Sequence, residues 1–356
     1  MGADAAGVEA SHVLTWIQGA IACCCCASAL VAAADSAHAL SVTSDAEGIE
    51  VAAAAGEQNR LRVVRARNEV RVEDTGAPVA AGPGCRQTSS STAVCALDAR
   101  PPNSPFDNYT LVVALGDRDD TATFDAGSGD VAAVLRGEDG ADRLHATGSV
   151  GADLYGGAGA DQLEGGAGAD HLDGGNGPDV VVGGRGRDVA IYARDPFSGE
   201  RRPTPVFVSL DGRSGDGAAG EGDKVSADVE GILSESFRGD VLIGNRRSNW
   251  LTGGGRLSGL GGNDRLFGYG GRDRISGGDG ADLVRDGGGG RDALYGGAGD
   301  DTIEAVDRDE AEAGESRGRI DPTRDWVHCG PGRDIAVVDS ADRVARDCER
   351  VKVRRS

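Results

Sequence analysis

The stretch YGGAGADQLEGGAGADHLDGGNGPDVVVGGRGRDVAI, residues 155–191, states one pattern four times at a period of nine. Aligned on their acids, Asp161, Asp170, Asp179 and Asp188 each follow Gly-Gly-x-Gly-x and precede x-apolar-x. A second array runs over residues 259–304 as GLGGNDRLF, GYGGRDRIS and GGDGADLVR, then one extra residue, Asp286, then GGGGRDALY and GGAGDDTIE. Its acids are Asp264, Asp273, Asp282, Asp292 and Asp301, and an outlying copy, GEDGADRLH at 137–145, adds Asp142.

Each position in the period has a physical reason. The first six residues must turn sharply, which needs positive φ and little side-chain bulk, and glycine supplies both. The last three make a short strand whose alternation sends only the eighth residue inward. Those residues are Leu163, Leu172, Val181 and Ala190, then Leu266, Ile275, Val284, Leu294 and Ile303. Two nonapeptides make one coil, so residues 18 apart stack, placing Asp161 over Asp179 and Asp170 over Asp188 on the opposite edge. The expected fold class is all-β, a parallel β-roll or β-helix solenoid.

Stacked acids set an electrostatic condition. At a strand spacing of ~4.8 Å, two unit charges repel by roughly 3.5 kcal/mol at an effective dielectric of about 20. Burying one small aliphatic side chain returns only about 1.5 to 3 kcal/mol. The bare repeat therefore needs a cation between its carboxylates. Calcium, a hard ion that takes six to eight oxygens at ~2.3–2.6 Å, suits paired carboxylates and glycine-loop carbonyls. The expected ligands are Asp142, Asp161, Asp170, Asp179, Asp188, Asp264, Asp273, Asp282, Asp292 and Asp301, holding several calcium ions.

Composition narrows the function. With 59 glycines and 4 % aromatics among 356 residues, the chain has too few large side chains for a thick conventional core. A net charge of −21 argues against nucleic acid and anionic membrane as partners and favours cations. Residues 1–39 contain the apolar run VLTWIQGAIACCCCASALVAAA and the Ala-x-Ala site Ala37 and Ala39, as in a secretory signal cleaved before Leu40, although the preceding segment carries Asp4 and Glu9 and no base. AIAC before Cys23 loosely resembles a lipoprotein cleavage box, so surface anchoring by lipid is the lesser alternative to a secreted, extracellular product. No other stretch is long and apolar enough to span a bilayer. Cys85, Cys95, Cys329 and Cys348 remain after cleavage, an even number suited to disulfides. Four cysteines allow three connectivities, of which the sequence-local one joins Cys85 to Cys95 and Cys329 to Cys348.

On these residues the chain resembles the secreted bacterial haemolysin-type (RTX) calcium-binding repeat proteins. VFVSLDGRSGDGAAGEGDKVSADVEGI, 206–232, looks like the segment that often interrupts such arrays. DWVHCGPGRDIAVVDSADRVARDCERV, 325–351, resembles their closing module, and AGPGCRQTSSSTAVC their opening one. The resemblance implies a parallel β-roll with calcium held by the sixth-position aspartates, and cysteine pairs that close irregular end modules. The implied organisation is a signal at 1–39, an N-terminal β module and cap at 40–136, a first array at 137–191, a linking segment at 192–237, a second array at 238–304, and an acidic loop with a C-terminal capping module at 305–356. Protruding loops are expected at 193–205 and 307–325.

The departures are informative. GNRRSNWLT, 244–252, puts Asn249 where an acid is expected, and GGGRLS after it loses the acid, so no strong site is expected there. A one-residue slip at 146–155 makes Asp153 a doubtful ligand, and Asp286 is expected to strain the pairing of Asp273 with Asp292. Asp211, Asp216, Glu221 and Asp223 read as a solvated acidic turn, with a further ion site as the lesser alternative, and His171 as an outward, solvated side chain. No His-Glu-x-x-His, Gly-x-Ser-x-Gly or phosphate loop occurs. The expectation is a non-enzymatic surface, matrix or adhesion module, with extracellular polysaccharide or cell-surface components as partners. The alternative is a calcium-dependent lyase or epimerase acting on polysaccharide, which would need clustered aromatics and a basic residue along a groove.

Circular dichroism of the full chain in chelator is expected to show disorder, with β signal recovered by millimolar calcium and not by magnesium, which demands a tighter octahedron. Identical spectra in both conditions would count against the electrostatic condition above.

Overall fold

The nine-residue period becomes a coil of two short strands and two turns, with one apolar side chain per strand pointing inward. The computed structural model describes residues 39–45, 48–66, 68–97, 110–127, 131–194, 196–197, 199, 205–236, 239–306 and 323–354. Every regular element among them is a β-strand. The expected signal segment, apart from its last residue, and most of the two expected loops lie outside the described residues.

Strands stack into two long faces. One is a 15-stranded sheet in which the repeat strands Ala152–Ala158, His171–Asn176 and Val189–Tyr192 are followed by Gly231–Ser234, Trp250–Thr252, Arg265–Phe267, Leu283–Arg285 and Thr302–Ala305, all parallel. The register aligns the inward residues in one file, Leu154, Leu172, Ala190, Ile232, Leu251, Leu266, Val284 and Ile303. The facing strands carry Ala122, Leu144, Leu163, Val181 and Val225, and further along Leu242, Leu257, Ile275, Leu294 and Val327. All of these residues are essentially buried and belong to one continuous core. Each coil buries little, so stability comes from stacking neighbours, as in any solenoid.

The interval between the arrays does not interrupt the stack. The strand Asp223–Val225 pairs with Val180–Val182, and Val206–Ser209 pairs with Asp240–Ile243, so both arrays share the core. Regular coils also begin before the first repeat copy, since Thr110–Ala114 and Thr121–Asp125 already pair in parallel with Ala132–Asp139 and Arg143–Thr147. At the N-terminal end the pattern turns antiparallel: Arg60–Ala66 pairs with Glu69–Asp74, which pairs with Thr92–Ala96, which pairs with Cys85–Ser89. Two disulfides join Cys85 to Cys95 across that last pair and Cys329 to Cys348 at the other end. The final strand, Arg350–Val353, is exposed throughout, and its Arg350 and Lys352 blunt an open sheet edge.

The second position of the repeat is where the backbone most needs glycine. It has φ of 111° at Gly157 and 124° at Gly278, and in two copies a side-chain-bearing residue takes the same conformation, Glu138 at 74° and Leu260 at 76°. A left-handed conformation costs a side-chain-bearing residue about 1–2 kcal/mol, and Leu260 is half exposed and gains little from packing. Leu260→Gly is therefore expected to stabilise the calcium-saturated protein by up to about 1 kcal/mol, read as a raised thermal midpoint. A lowered midpoint would show that Leu260 packing outweighs the backbone strain.

Candidate metal centre

Each acid of the repeat stands at the residue before a strand, where the turn re-enters the coil edge. There it is buried: Asp142, Asp161, Asp170, Asp179, Asp188, Asp264, Asp273, Asp282, Asp292 and Asp301 are all at most 3 % exposed. Their carboxylates divide into two halves with different partners. The Oδ1 half accepts the backbone N–H of the corresponding residue one coil earlier. Thus the N–H of Asp161 donates to Asp179 at 2.9 Å, that of Asp170 to Asp188 at 3.0 Å, and that of Asp264 to Asp282 at 2.8 Å.

These bonds link into two ladders. Before the strands of the second face runs a ladder through Asn59, Asp120, Asp142, Asp161, Asp179 and Asp223, resumed through Gly255, Asp273, Asp292, Asp325 and Asp342. Before the strands of the 15-stranded sheet runs another through Ala152, Asp170, Asp188 and Glu230, resumed through Asn249, Asp264, Asp282, Asp301, Asp334 and Glu349.

The Oδ2 half is different. In Asp142, Asp161, Asp188, Asp264, Asp273, Asp282 and Asp301 this oxygen is buried and has no hydrogen-bond partner. It turns toward the first glycine of its own repeat, and at Asp142, Asp161, Asp264, Asp282 and Asp301 a backbone carbonyl from the next coil faces the same glycine. A Cβ on Gly156 would sit 2.4 Å from Asp161 Oδ2 and 2.2 Å from the Gly174 carbonyl oxygen, and one on Gly259 would sit 2.1 Å from Asp264 Oδ2 and 2.6 Å from the Gly277 carbonyl oxygen. Glycine is required there because the space belongs to converging oxygens. A buried carboxylate oxygen left without a partner is costly, and hard oxygen donors with no nitrogen or sulfur among them fit calcium or a similar hard cation. The residues present therefore fit the ion that the period implies.

Burial raises these acids' affinity for protons. The carboxyls of Asp142, Asp264, Asp273 and Asp301 are pushed up to about 7, and those of Asp120, Asp161 and Asp188 to about 6, chiefly by loss of solvent. Neighbouring carboxylates add to the rise in most of them, as Asp161 and Asp120 do for Asp142, and Asp292 for Asp273. Asp170 and Asp282 move the same way, again mainly by burial.

Several expectations need correction. Two of the linking-segment acids do not belong to a solvated turn: Asp216 and Asp223 are buried, Asp216 caps the N–H groups of Ser209 and Val225, and Asp223 is a rung of the ladder, whereas Asp211 is exposed as expected. Asp223 keeps the Asp-x-Val spacing, with Val225 buried in the core. Asp286 does not disrupt its neighbours, because Ile275 still pairs with Leu294 and the Asp273 N–H reaches Asp292 Oδ1 at 2.5 Å across a 19-residue offset. His171 is not solvated but partly buried, its Nδ1 2.8 Å from Asp153 Oδ1. Burial pulls its pKa down, yet the bond and charge of Asp153, with Asp170 and Asp188 nearby, make the net direction upward. Asp153 accordingly stands outside the ladder, whose place is taken by the N–H of Ala152. Asn249 keeps its ladder bond to Asp264 and removes a charge from the file.

Sequence reasoning missed Asp120, Glu230, Asp325, Asp334, Asp342 and Glu349. The signal was present for Asp325 and Asp334, each followed two residues later by an apolar inward residue, Val327 and Ala336, but no glycine pair marked them.

Residues 155–190, 256–284 and 286–305 match the RTX calcium-binding nonapeptide repeat, in four copies. No curated protein matches this chain.

The raised carboxyls dictate how the metal-free chain responds to pH. An unfolded Asp titrates near 4, so below about 4 both states are protonated and the folded coil carries no charge penalty. As pH rises from about 4 to 7 the unfolded chain ionises first, and stability is lost as pH passes through the folded values of about 6 to 7. In chelator, β signal is expected to be greater at pH 4.5 than at pH 8, with calcium erasing the difference. Equal order at both pH values without metal would refute the like-charge account.

Proposed function

We propose that this chain, a carrier of RTX calcium-binding nonapeptide repeats, is a secreted protein that folds when calcium fills its two acid ladders and then serves as a non-enzymatic surface, matrix or adhesion module. The observation that carries the reading is the unpartnered Oδ2 oxygen repeated from rung to rung beside a glycine and a carbonyl of the next coil. In this reading Asp142, Asp161, Asp170, Asp179, Asp188, Asp264, Asp273, Asp282, Asp292 and Asp301 hold the ions, with Asp223, Asp325 and Asp334 extending the files beyond the matched repeats. Bound calcium supplies positive charge that neutralises neighbouring carboxylates, while the protein's own backbone N–H groups orient each carboxylate through Oδ1.

Two features support work outside the cytosol. Both cysteine pairs are disulfide-bonded, a chemistry that persists in oxidising compartments. Extracellular calcium modules bind at ~0.1 to 1 mM, so such a chain stays unfolded where calcium is scarce and folds where it is plentiful. No helix among the described residues is long and apolar enough to cross a membrane.

A strip on the outer face of the second sheet supports an acidic polysaccharide as partner. Arg274, Trp326 and Arg343 occupy outward positions of neighbouring strands, with Tyr295 and His328 beside them. Tyr295 stacks on His328 at 5.4 Å, Arg274 lies 4.5 Å from the Tyr295 ring centre, and Arg343 lies 5.0 Å from that of Trp326, which is 48 % exposed. Aromatic faces suit sugar rings, and guanidinium groups suit carboxylates or sulfates. These aromatics are far apart in sequence and read there as scattered, so the cluster also strengthens the enzymatic alternative.

The test is retention of the calcium-saturated protein on immobilised hyaluronan against a neutral glucan. Selective retention is expected, weakened about tenfold in Trp326→Ala/Arg343→Ala, roughly the loss of one aromatic contact and one charge pair. Release of unsaturated or shortened sugars would favour the enzyme, and equal behaviour on both matrices would remove the acidic-glycan partner.

A further inference from the structure

The ladders carry at most one acid per rung, and beside one rung an extra acid stands. Asp286 stands outside the nonapeptide, between the repeat that ends at Arg285 and the one that begins at Gly287. An extra acidic residue at a turn would ordinarily swing into solvent. This one is 3 % exposed, as buried as the ladder residues themselves.

Its backbone N–H donates to the Glu304 carbonyl at 3.0 Å, which fixes the chain as it leaves the strand Leu283–Arg285. Arg285, the nearest base in sequence, is engaged by Glu304 at 2.8 Å. The Asp286 carboxylate thus turns inward. One carboxylate oxygen from each of Asp273, Asp286 and Asp292 lies within 4.8 Å of the other two.

Independently of that convergence, the hydrogen bonding is incomplete. Asp286 Oδ1 receives only a long bond from the Gly288 N–H at 3.3 Å. Asp286 Oδ2 and Asp273 Oδ2 are both buried without a hydrogen-bond partner. Asp325 adds a fourth acid through its bond from the Asp292 N–H. Burial, and then the charges of Asp292, Asp325 and Asp273, push the Asp286 carboxyl up to about 9, as expected for a group facing other acids.

We propose that Asp273, Asp286 and Asp292 form a three-carboxylate calcium site distinct from the regular rungs, which binds more tightly than they do and fills first. The proposal rests on the reading that ladder aspartates hold calcium, and adds to it a site that the repeat pattern does not contain. All the donors are hard oxygens, and affinity of such sites for calcium rises with the number of charged ligands. Magnesium, which dehydrates reluctantly and demands a strict octahedron, suits a buried all-protein cage poorly. Because repeats contact only their neighbours, an ion held here would order the adjoining coils before the weaker rungs are filled.

The test is a calcium titration by equilibrium dialysis of the full chain after chelator removal. It compares the wild type, Asp286→Asn, and a chain with Asp286 deleted, which restores the nine-residue period. The wild type is expected to show one ion bound at least about tenfold more tightly than the rest, a step within the range that ligand charge spans in calcium sites. Both variants are expected to lose that tight phase and keep the remaining midpoint, with unchanged circular dichroism at saturating calcium. Excess magnesium is expected to leave the tight phase in place.

A single-phase wild-type curve overturns the proposal, as does a tight phase that survives in Asp286→Asn, which would mean that Asp286 is simply protonated. If Asp286→Asn fails to fold at saturating calcium, the deletion decides by the same criterion. A wild type that binds no calcium at all sinks the ladder reading too, a result separable from loss of the tight phase alone.

Discussion

A carboxylate buried at the edge of a coil, one strand spacing from the next, is stable only when a proton or a cation neutralises it. In this protein that condition is repeated along two edges, from Asp120 to Asp325 on one and from Asp170 to Asp334 on the other. The thin core does not override it, because each coil contributes only one modest apolar side chain per strand. On the proposed reading, folding and ion binding are one equilibrium, with protons competing for the same oxygens.

The two oxygens of each acid divide the work. Oδ1 ties coil to coil through a backbone N–H, which fixes the carboxylate before any ion is considered. Oδ2 is held where a glycine has left room and a carbonyl from the next coil approaches. The glycine therefore serves both the turn and the oxygen cage, which explains why the period is conspicuous in the arrays. It also explains why the stack can continue where the repeat's glycine pair is absent: Asp223 and Asp325 keep the Oδ1 bond and the inward apolar partner.

The ends answer a different demand. A solenoid exposes its last core layer unless something irregular covers it. Here the antiparallel strands around Cys85–Cys95 close one end, and Cys329–Cys348 ties down the other. By the loop-entropy account such links contribute about 3 kcal/mol each, and they act on the unfolded chain whether or not calcium is present. On the proposed reading the caps and the ladders are thus stabilised by independent means, one redox-dependent and the other metal-dependent.

The nonapeptide by itself determined the all-β coil, the 18-residue stacking and the identity of the inward and acidic positions, because glycine, aspartate and an apolar residue at fixed spacing leave the chain few other ways to bury its side chains. Leu163 over Val181 and Asp161 over Asp179 were legible for that reason. What only the tertiary structure decided were the relations between residues that no period connects. Asp223 enters its ladder 44 residues after Asp179 because a folded-back hairpin brings it there, and Tyr295 meets His328 because strands from separate segments lie side by side. The slip that leaves Asp153 bonded to His171, and the inward turn of Asp286, depend on which neighbour occupies the adjoining coil. Spacing within one segment specifies a local repeat, but the partner of an off-period residue is set by the packing of the whole stack.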